Sequence, residues 1–229
     1  AVNSSDKFSP WQIGFDTTSL SISKTLEFAY ADWCAGQYAK DLGHQTEADT
    51  LLKRAQMYRN LYDPSKGWFR PRRADGKWDK WPEKAVLKEF YGCMECNPLQ
   101  QGWFVPHDIQ GLVELLGGKE KVLAILEDFF AKTPKDMLWN SYYNHANEPV
   151  HHVPFLFNRL GKPWLTQYWS RFVCRNAYFN SVEGLVGNED AGQMSAWYVL
   201  ASAGIYPVCP GDNRYEISSP VFSEIKFAV

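Results

Sequence analysis

Two acidic side chains, Glu95 and Asp190, stand in short loops where the sequence changes from polar to apolar. A pair of separated carboxyl groups can break a glycosidic bond, because one gives a proton to the leaving oxygen while the other activates water or attacks carbon. Met94 and Cys96 give Glu95 an apolar setting, which favours the protonated form of a carboxyl group. Asp190 follows the polar Glu189, a setting in which a carboxylate stays ionised. The sequence therefore predicts Glu95 as a general acid and Asp190 as a general base.

Three loops of this kind are rich in polar groups, and each precedes an apolar segment. They contain Glu95 and Asn97 ahead of Gln100, Asn147 and Glu148 ahead of His151 and His152, and Asn188, Glu189 and Asp190 ahead of Gln193. If the loops lie at one end of a helical ring, their side chains converge on one cavity. The candidates for substrate binding are then Asn147, Glu148, His151, Glu189 and Gln193. The alternative is that these groups only cap helices and place charge in their first turns.

The loop at 188–190 also offers ligands for a metal ion. Amide and carboxylate oxygens suit a hard cation such as Ca²⁺, which takes about 6–8 oxygen ligands. The adjacent His151 and His152 are poorer candidates, because neighbouring side chains on a helix point about 100° apart. A hydrogen bond to substrate or to a carboxylate, or a purely structural role, is the better interpretation of either histidine.

Aromatic residues make up 16% of the chain and include 10 tryptophans. Flat amphipathic rings stack on the C–H faces of pyranoses in sugar-binding clefts, so this composition favours a carbohydrate ligand. The alternative is a bulky core with further rings exposed at an interface. Composition alone does not decide between the two.

The five cysteines are an odd number, so at least one has no disulfide partner within the chain. Cys93 and Cys96 form a C-x-x-C motif, but there is no second pair or neighbouring histidine cluster to support zinc. The cysteines are therefore interpreted as small buried residues. A redox or zinc site at Cys93 and Cys96 is the alternative.

Charge and hydropathy exclude several kinds of partner. The formal net charge is −2 at pH 7 and the chain has no run of basic residues, so nothing attracts it to nucleic acid or to an acidic membrane. No apolar stretch approaches the roughly 20 residues of a membrane span. We therefore expect a globular protein without a nucleic-acid partner and without a membrane span.

Hydrophobic periodicity near 3.6 residues predicts a mainly helical chain. Helices are expected over 17–43, 45–63, 100–116, 119–131, 150–160, 163–179 and 191–203, with glycine or proline near their ends. A DG turn predicts a hairpin within 67–82, and alternation over 214–227 predicts short strands near the carboxy terminus. No linker or charge block divides the chain, so a single domain is expected.

Serial helical hairpins with carboxylate-bearing loops predict an all-α fold of the α/α-toroid type, in which helix pairs form an inner and an outer ring. The predicted helices are too few to close such a ring. The chain is therefore expected to be an incomplete portion of the barrel.

Four segments, in order, resemble the calcium-dependent exo-α-mannosidases of glycoside hydrolase family 92. They are SISKTLEFAYADWCAGQYAKDLG, QQGWFVPHDIQGLVELLGG, NEPVHHVPFLFNRLGKPW and GNEDAGQMSAWYVLASAGIYPVCPG. The resemblance implies that residues 1–229 are part of one (α/α)6 catalytic domain, without the family's amino-terminal β-sandwich and first barrel helices. It places the family's general acid at Glu95 and its base at Asp190.

The resemblance also implies a reaction, which is the hydrolysis of terminal α-linked mannose from mannans or N-glycans with inversion, on α-1,2 linkages. The family's Ca²⁺ binds hydroxyls of the terminal mannose, and Asn188, Glu148 and Asp190 are its implied ligands here. The implied partners are a mannose-containing oligosaccharide or glycoprotein glycan and the remainder of the same enzyme, packed against this chain. Because family members are mostly exported by bacteria, a secreted, periplasmic or cell-surface location in a bacterium is expected.

Two other functions stay open on the sequence alone. One is another helical-toroid α-glycosidase, acting on glucosides, which relative rates on α-mannosides and α-glucosides would distinguish. The other is a carbohydrate-binding or scaffold piece without turnover, which would bind mannose and form no product.

Overall fold

The computed structural model describes residues 13–226. The chain divides into two compact units, Ala1–Gly118 and Lys119–Val229. The division falls at Gly117 and Gly118, whose φ angles of 101° and 100° lie in the left-handed region that favours glycine. Among the described residues most regular structure is helical and each strand has two residues. This confirms the all-α class.

The first unit begins with a helical hairpin. Helix α1 spans Ser21–Asp41, within the first predicted helix, and helix α2 spans Gln45–Arg54. Buried positions recur along α1 at three- or four-residue spacing, as expected for a helix with one face on the core: Ile22, Leu26 and Ala29. Arg54 closes the hairpin by donating to both carboxylate oxygens of Asp32, at 3.0 and 2.9 Å.

The predicted helix over 45–63 is wrong beyond Arg54. The next residues form a 3-10 helix at Met57–Leu61 and strand β1 at Tyr62–Asp63, which pairs antiparallel with strand β2 at Trp68–Phe69. A 3-10 helix places residues i and i+3 on the same side, so Tyr58 and Leu61 both enter the core. Tertiary packing therefore overrides the helical pattern at this point.

The predicted hairpin within 67–82 is present. An antiparallel bridge joins Arg72 to Trp78, and Gly76 in the turn between them has a φ of 76°. The Arg72 guanidinium lies 3.9 Å from the centroid of the Trp78 ring, close enough for a cation–π interaction. A 3-10 turn at Ala85–Leu87 follows.

The predicted helix over 100–116 is wrong because Pro106 interrupts it. The structure has helix α3 at Pro98–Gln101, a 3-10 turn at Pro106–Asp108 and helix α4 at Ile109–Leu115. Proline lacks a backbone N–H and disfavours helical geometry at the residue before it. Val105 accordingly has a φ of −129° and a ψ of 56°.

The second unit begins with helix α5, which spans Lys119–Ala131 as predicted. The predicted helix over 150–160 is wrong in its first half. In its place are 3-10 turns at Glu148–Val150 and Val153–Phe155, followed by the short helix α6 at Leu156–Arg159. Each of the two turns has a proline in its first positions, where proline is tolerated but a preceding α-helix cannot continue.

The later helices follow the predictions more closely. Helix α7 spans Pro163–Asn176 and helix α8 spans Gln193–Ser202. Strand β3 at Ile205–Tyr206 pairs antiparallel with strand β4 at Glu216–Ile217. The alternating segment 214–227 thus contributes one short strand, and its last residue lies outside the described residues.

Many aromatic side chains pack in the cores of the two units. Trp103, Tyr58 and Phe69 are fully buried in the first unit, and Trp197, Tyr143 and Phe155 in the second. The bulky-core alternative therefore accounts for these rings, whereas Trp139 and Trp164 stay 50% and 56% exposed. Within residues 13–226, no helix has the length and apolar character needed to cross a membrane.

Candidate active site

Glu95 lies in a tight loop of the first unit. Phe90 N donates to Cys96 O at 3.0 Å to close the loop, and Met94 N donates to Ser23 Oγ at 2.9 Å to hold it against helix α1. Glu95 itself has a φ of 52°, a left-handed conformation that costs a residue with a side chain about 1–2 kcal/mol. Such strain clusters at functional sites, where the surrounding structure holds it in place.

The surroundings of Glu95 differ from the expectation. Cys96 and Asn97 are buried, but Glu95 and Met94 are exposed. The prediction of an apolar setting that excludes water is therefore wrong, because the Glu95 side chain is exposed although Cys96 beside it is buried. The loop instead holds the carboxyl group at the surface, where a ligand can reach it.

Asn97 and Gln100 form a capping box at the start of helix α3. Asn97 Oδ1 accepts from Gln100 N at 3.0 Å, and Gln100 Oε1 accepts from Asn97 N at 3.2 Å. Both side chains are buried. The helix-capping alternative therefore holds for this pair, which fixes the chain directly after Glu95.

The buried Gln101 joins the Glu95 loop to helix α1. Its Oε1 accepts from Ser23 Oγ at 2.8 Å and from Cys96 Sγ at 3.3 Å, and its Nε2 donates to Glu27 Oε1 at 3.5 Å. Desolvation raises the pKa of Glu27, and the hydrogen bond from Gln101 acts in the opposite direction. Sequence reasoning missed Glu27, because a glutamate within a long helix gives no local sign of such contacts.

In the second unit, two loops that are distant in sequence lie against each other. They are residues 144–152 and 187–193, which we call the His151 loop and the Asp190 loop. Gly187 has a φ of 74°, and a Cβ atom there would lie 2.6 Å from both Cβ and O of Ala146. Only glycine permits so close an approach. Two of the three polar loops therefore lie against each other, and the convergence of all three on one cavity stays a prediction.

Asp190 begins a run of three residues in the left-handed region. The φ angles are 47° at Asp190, 56° at Ala191 and 89° at Gly192. The run leads into helix α8 and leaves Asp190 exposed. Glu95 and Asp190 are thus two of the six non-glycine residues with positive φ in the described part of the chain.

The Glu189 carboxylate caps helix α8. Its Oε1 accepts from Ser195 N at 2.9 Å and its Oε2 accepts from Ser195 Oγ at 2.8 Å. Both oxygens are engaged by the first turn, where negative charge is also favoured by the helix dipole. The helix-capping alternative therefore accounts for Glu189, and its contact with substrate stays a prediction.

His151 is 2% exposed, and both of its ring nitrogens have partners. Nε2 lies 3.0 Å from the carbonyl oxygen of His145, which can only accept, so Nε2 carries the proton. Nδ1 then accepts from Gln193 Nε2 at 3.3 Å. Burial lowers the pKa of His151 to about 4, against opposing effects of the His145 carbonyl and the Asp190 carboxylate. A neutral His151 therefore orients Gln193 and presents no free nitrogen to a sugar.

A second buried histidine, His145, stands behind the start of helix α8. Tyr178 Oη donates to Met194 O at 2.9 Å, so it must accept from His145 Nε2 at 2.7 Å. His145 Nδ1 then accepts from Tyr143 Oη at 2.8 Å. Burial lowers the pKa of His145 well below its ordinary value and keeps the ring neutral. Sequence reasoning missed this chain of hydrogen bonds, because its members are single residues in separate segments.

Oxygen donors for a cation are present on the two loops. Glu148 opens a 3-10 turn and is half-buried, whereas Asn188 and Asp190 are exposed. Within residues 13–226, no group of three or more His, Cys, Asp or Glu side chains could hold a metal ion. The donors therefore have the oxygen chemistry that calcium prefers, but amide or carbonyl oxygens would have to complete the set.

The His151 loop also contains a buried amide with unused hydrogen-bonding capacity. Asn147 is 8% exposed, and its N donates to Asn144 O at 3.1 Å. The side chain of Asn144 is buried, and neither amide atom has a hydrogen-bond partner among the described residues. An unpaired buried amide costs about 1–3 kcal/mol. This position therefore favours a polar ligand or ion beside the loop.

The cysteines follow the interpretation as buried residues. All five lie in the described part of the chain and are free, and only Cys34 is partly exposed. Burial raises the pKa of Cys93 well above its ordinary value, and the neighbouring Cys96 adds to the increase. A raised thiol pKa is the opposite of what a reactive or metal-binding thiolate requires.

Comparison with known proteins relates the chain to one family of glycosidases. Residues 4–229 match the sequence profile of the glycosyl hydrolase family 92 catalytic domain. A relative from Arthroderma benhamiae, described as an uncharacterized secreted glycosidase, is 28% identical over 235 residues, covering 93% of this chain and 29% of the relative.

Two solved structures from Bacteroides thetaiotaomicron are also similar. One is a family 92 α-mannosidase in complex with mannoimidazole, 34% identical with a TM-score of 0.85, covering 94% of this chain and 31% of that protein. The other is described as a family 92 inverting mannosidase, 35% identical with a TM-score of 0.80, covering 93% of this chain and 31% of that protein.

This chain spans less than a third of the length of each of these three proteins. The profile match nevertheless extends over residues 4–229. The sequence resemblance, the helical fold and the profile therefore agree, and the chain belongs to glycosyl hydrolase family 92, within the catalytic domain of that family.

Proposed function

We propose that this chain carries part of the active site of an α-mannosidase, a glycoside hydrolase that removes terminal α-linked mannose from mannans or N-glycans with inversion. The observation that carries the proposal is the meeting of the His151 loop and the Asp190 loop at the start of helix α8 in a family 92 chain. The similar structures support it, since one is described as an α-mannosidase with mannoimidazole and another as an inverting mannosidase.

Glu95 is proposed as the general acid and Asp190 as the general base. Both carboxyl-bearing residues are exposed and stand on strained backbone that their loops hold in place. In an inverting reaction the acid protonates the leaving oxygen, and the base takes a proton from the attacking water. Gln193, oriented by His151, and Asn147 are proposed to contact the sugar. Glu189 acts by holding the first turn of helix α8.

Calcium is proposed as the cofactor, with oxygens of Glu148, Asn188 and Asp190 as ligands. Two features support it: these residues lie on adjoining loops, and the buried amide of Asn144 has no partner among the described residues. A bound Ca²⁺ supplies positive charge to which sugar hydroxyls can bind. Removal of the ion should therefore weaken sugar binding before it affects the fold.

The complete enzyme is proposed to contain the remainder of the family's catalytic domain and its amino-terminal β-sandwich, packed against this chain. The basis is that the chain spans 29% of its curated relative. That relative is described as secreted, which supports an exported, extracellular or periplasmic location. A bacterial source is proposed from the family resemblance alone.

The test is to incubate the 229-residue chain with α-1,2-mannobiose and excess Ca²⁺ and to follow the anomeric protons by NMR, with EDTA in a parallel sample. Release of β-mannose that stops with EDTA supports the proposal, whereas release of α-mannose contradicts inversion. The corresponding α-1,2-glucobiose is the comparison substrate, and its faster cleavage would indicate a glucosidase.

Two substitutions test the assigned carboxyl groups. Glu95→Gln and Asp190→Ala should each lower the rate by about 100-fold or more, because each removes a proton-transfer partner. Glu83→Gln and Asp41→Ala, at exposed positions outside the assigned site, are the matched controls and should leave the rate unchanged.

A second candidate function is carbohydrate binding without turnover. It is favoured by the observation that the chain spans less than a third of its relatives. In that case mannobiose binds saturably to the 229-residue chain and no mannose is released. If a longer protein that contains this chain then releases mannose, the result supports the α-mannosidase proposal.

A further inference from the structure

An open groove runs along helix α7 in the second unit, apart from the loops assigned to catalysis. It encloses about 430 Å³, which lies within the range of about 300–1,000 Å³ that is usual for ligand sites. Most of its lining comes from helix α7, and Ser219 adds to its wall. Its lining combines aromatic rings with guanidinium and amide groups.

The aromatic part of the groove is a stripe on one face of helix α7. Trp164, Tyr168 and Phe172 recur every four residues and therefore share that face. The rings of Tyr168 and Phe172 are stacked, with centroids 6.2 Å apart and planes inclined by 26°. Trp164 and Tyr168 are each 56% exposed. Large rings exposed side by side on one helix face mark a surface for contact with a ligand or with another protein segment.

The cationic part of the groove lies on the same face. Between residues 161 and 182 the chain has three basic residues, Lys162, Arg171 and Arg175, and no acidic residue. Arg171 and Arg175 both line the groove. Lys162 Nζ lies 5.3 Å from the centroid of the Trp164 ring. The groove therefore attracts anions.

Arg171 is held in a fixed orientation. Its Nη2 donates to the carbonyl oxygens of Ser219, at 3.4 Å, and of Pro220. Its Nε is buried and has no hydrogen-bond partner among the described residues. Arg175 is exposed. One guanidinium is thus pre-positioned and the other can move to meet a ligand.

We propose that the groove on helix α7 binds an acidic sugar unit of a glycan, with its ring on Trp164 and Tyr168 and its carboxylate or phosphate on Arg171 and Arg175. Guanidinium groups match the planar geometry of carboxylate and phosphate oxygens, and pyranose faces pack on aromatic rings. A neutral sugar would leave the cations without a partner, and a small inorganic anion would leave the rings uncovered. The site goes beyond the proposed mannosidase activity and does not depend on turnover.

The test is a set of titrations of the 229-residue chain, followed by calorimetry or by ligand-observed NMR. The probes are methyl β-glucuronide and glucose 6-phosphate, with methyl β-glucoside as the neutral sugar and inorganic phosphate as the anion without a ring. At least one acidic sugar should bind at least tenfold more tightly than both comparison ligands. The tighter of the two acidic sugars identifies carboxylate or phosphate as the preferred group.

Substitutions place the binding in the groove. Trp164→Ala and Arg175→Gln should each weaken binding of the preferred acidic sugar by tenfold or more. Trp139→Ala removes a similarly exposed tryptophan elsewhere in the second unit and should leave binding unchanged. Because the probes contain no mannose, failure of the mannosidase proposal would not affect this result.

The proposal would be overturned by equal affinity for the neutral glucoside, by equal affinity for inorganic phosphate, or by undiminished binding in both groove variants. Absence of saturable binding by both acidic sugars would also overturn it, and would leave the aromatic stripe as a surface for contact with another protein segment.

Discussion

Gln193 Nε2 lies 3.3 Å from His151 Nδ1, and this contact joins the first residue of helix α8 to the neighbouring loop. The contact requires a neutral histidine, because Nδ1 must be free to accept while Nε2 donates to the His145 carbonyl. A protonated ring would donate at both nitrogens and lose Gln193 Nε2 as a partner. The arrangement next to Asp190 therefore depends on pH.

Stability should fall as the pH falls from about 6.5 to about 4. The folded-state pKa of His151 is lowered to about 4, below the value of about 6.5 in an unfolded chain. The unfolded state therefore binds more protons in this window, and the stabilisation present above pH 6.5 is lost progressively towards pH 4. The loss from His151 should reach about 3 kcal/mol.

Urea unfolding between pH 4 and 7 measures this effect. His151→Gln should give a shallower dependence of the unfolding free energy on pH, even if the variant is less stable at every pH. His44→Gln, at an exposed position, is the control and should keep the slope of the original chain. Equal slopes for the His151 variant and the original chain would contradict the prediction.

Comparing substitutions at two glycines separates the effect of the close contact between Gly187 and Ala146 on stability from the effect of backbone strain. Both Gly187 and Gly192 have positive φ, at 74° and 89°. A Cβ atom at Gly187 would lie 2.6 Å from Ala146 O, whereas at Gly192 nothing lies within 4 Å. Gly192→Ala should therefore cost only about 1–2 kcal/mol of conformational energy, and Gly187→Ala should cost clearly more.

Chemical denaturation of the two variants gives the comparison. The additional loss of unfolding free energy in Gly187→Ala, relative to Gly192→Ala, measures how tightly the Asp190 loop packs on the His151 loop. The same variant should reduce mannose release, because the Asp190 loop can no longer rest on Ala146. An equal cost for both substitutions would mean that the loops separate readily in solution.

Removal of the Glu189 cap should destabilise the protein modestly. Glu189→Ala leaves Ser195 N and Oγ without their acceptors and should cost about 1 kcal/mol, or a lowering of Tm by about 2–4 °C. Glu189→Gln keeps an acceptor but loses the charge, so its effect should be smaller. Thermal unfolding is the measurement, and Glu224→Ala, at an exposed position, is the control.

A role of Glu189 in direct sugar binding predicts a different result. In that case Glu189→Gln would leave Tm near its original value and weaken mannobiose binding strongly. Parallel measurement of Tm and binding therefore separates helix capping from ligand contact.

Thiol reactivity should follow burial. In the folded chain at pH 8, a disulfide reagent such as Ellman's reagent should modify Cys34 first, because the other four cysteines are buried. Burial raises the pKa of Cys174 to about 11 and that of Cys93 well above its ordinary value, so few thiolates are present. Guanidinium should expose all five thiols. Rapid reaction of Cys93 or Cys96 without denaturant would revive a redox role for the motif.

Helices with uninterrupted patterns could be predicted closely from the sequence. Helix α5 has the predicted bounds, and helices α7 and α8 differ from prediction mainly at their ends. Two failures came at Pro106 and in the segment 150–160, where prolines break an apolar pattern into short turns. A third came beyond Arg54, where packing of the core replaced the predicted helix with a 3-10 helix and a short strand. Hydrophobic periodicity indicates which side chains can share one face of a helix. Proline lacks a backbone N–H and can end the helix even where the apolar pattern continues.

Four ordered segments were enough to identify the family, and local patterns indicated the two candidate carboxyl residues, the polar loops and several of the helices. The partners of these polar side chains could be known only from the folded chain. In the structure Glu189 caps helix α8, and a neutral His151 accepts a hydrogen bond from Gln193. Glu95 is exposed and has a left-handed backbone conformation. The physical reason is that periodicity and capping patterns involve residues only three or four positions apart in the sequence. The side-chain hydrogen bonds of His151 and His145 include partners 42 and 33 residues away in the chain, which no local pattern reveals.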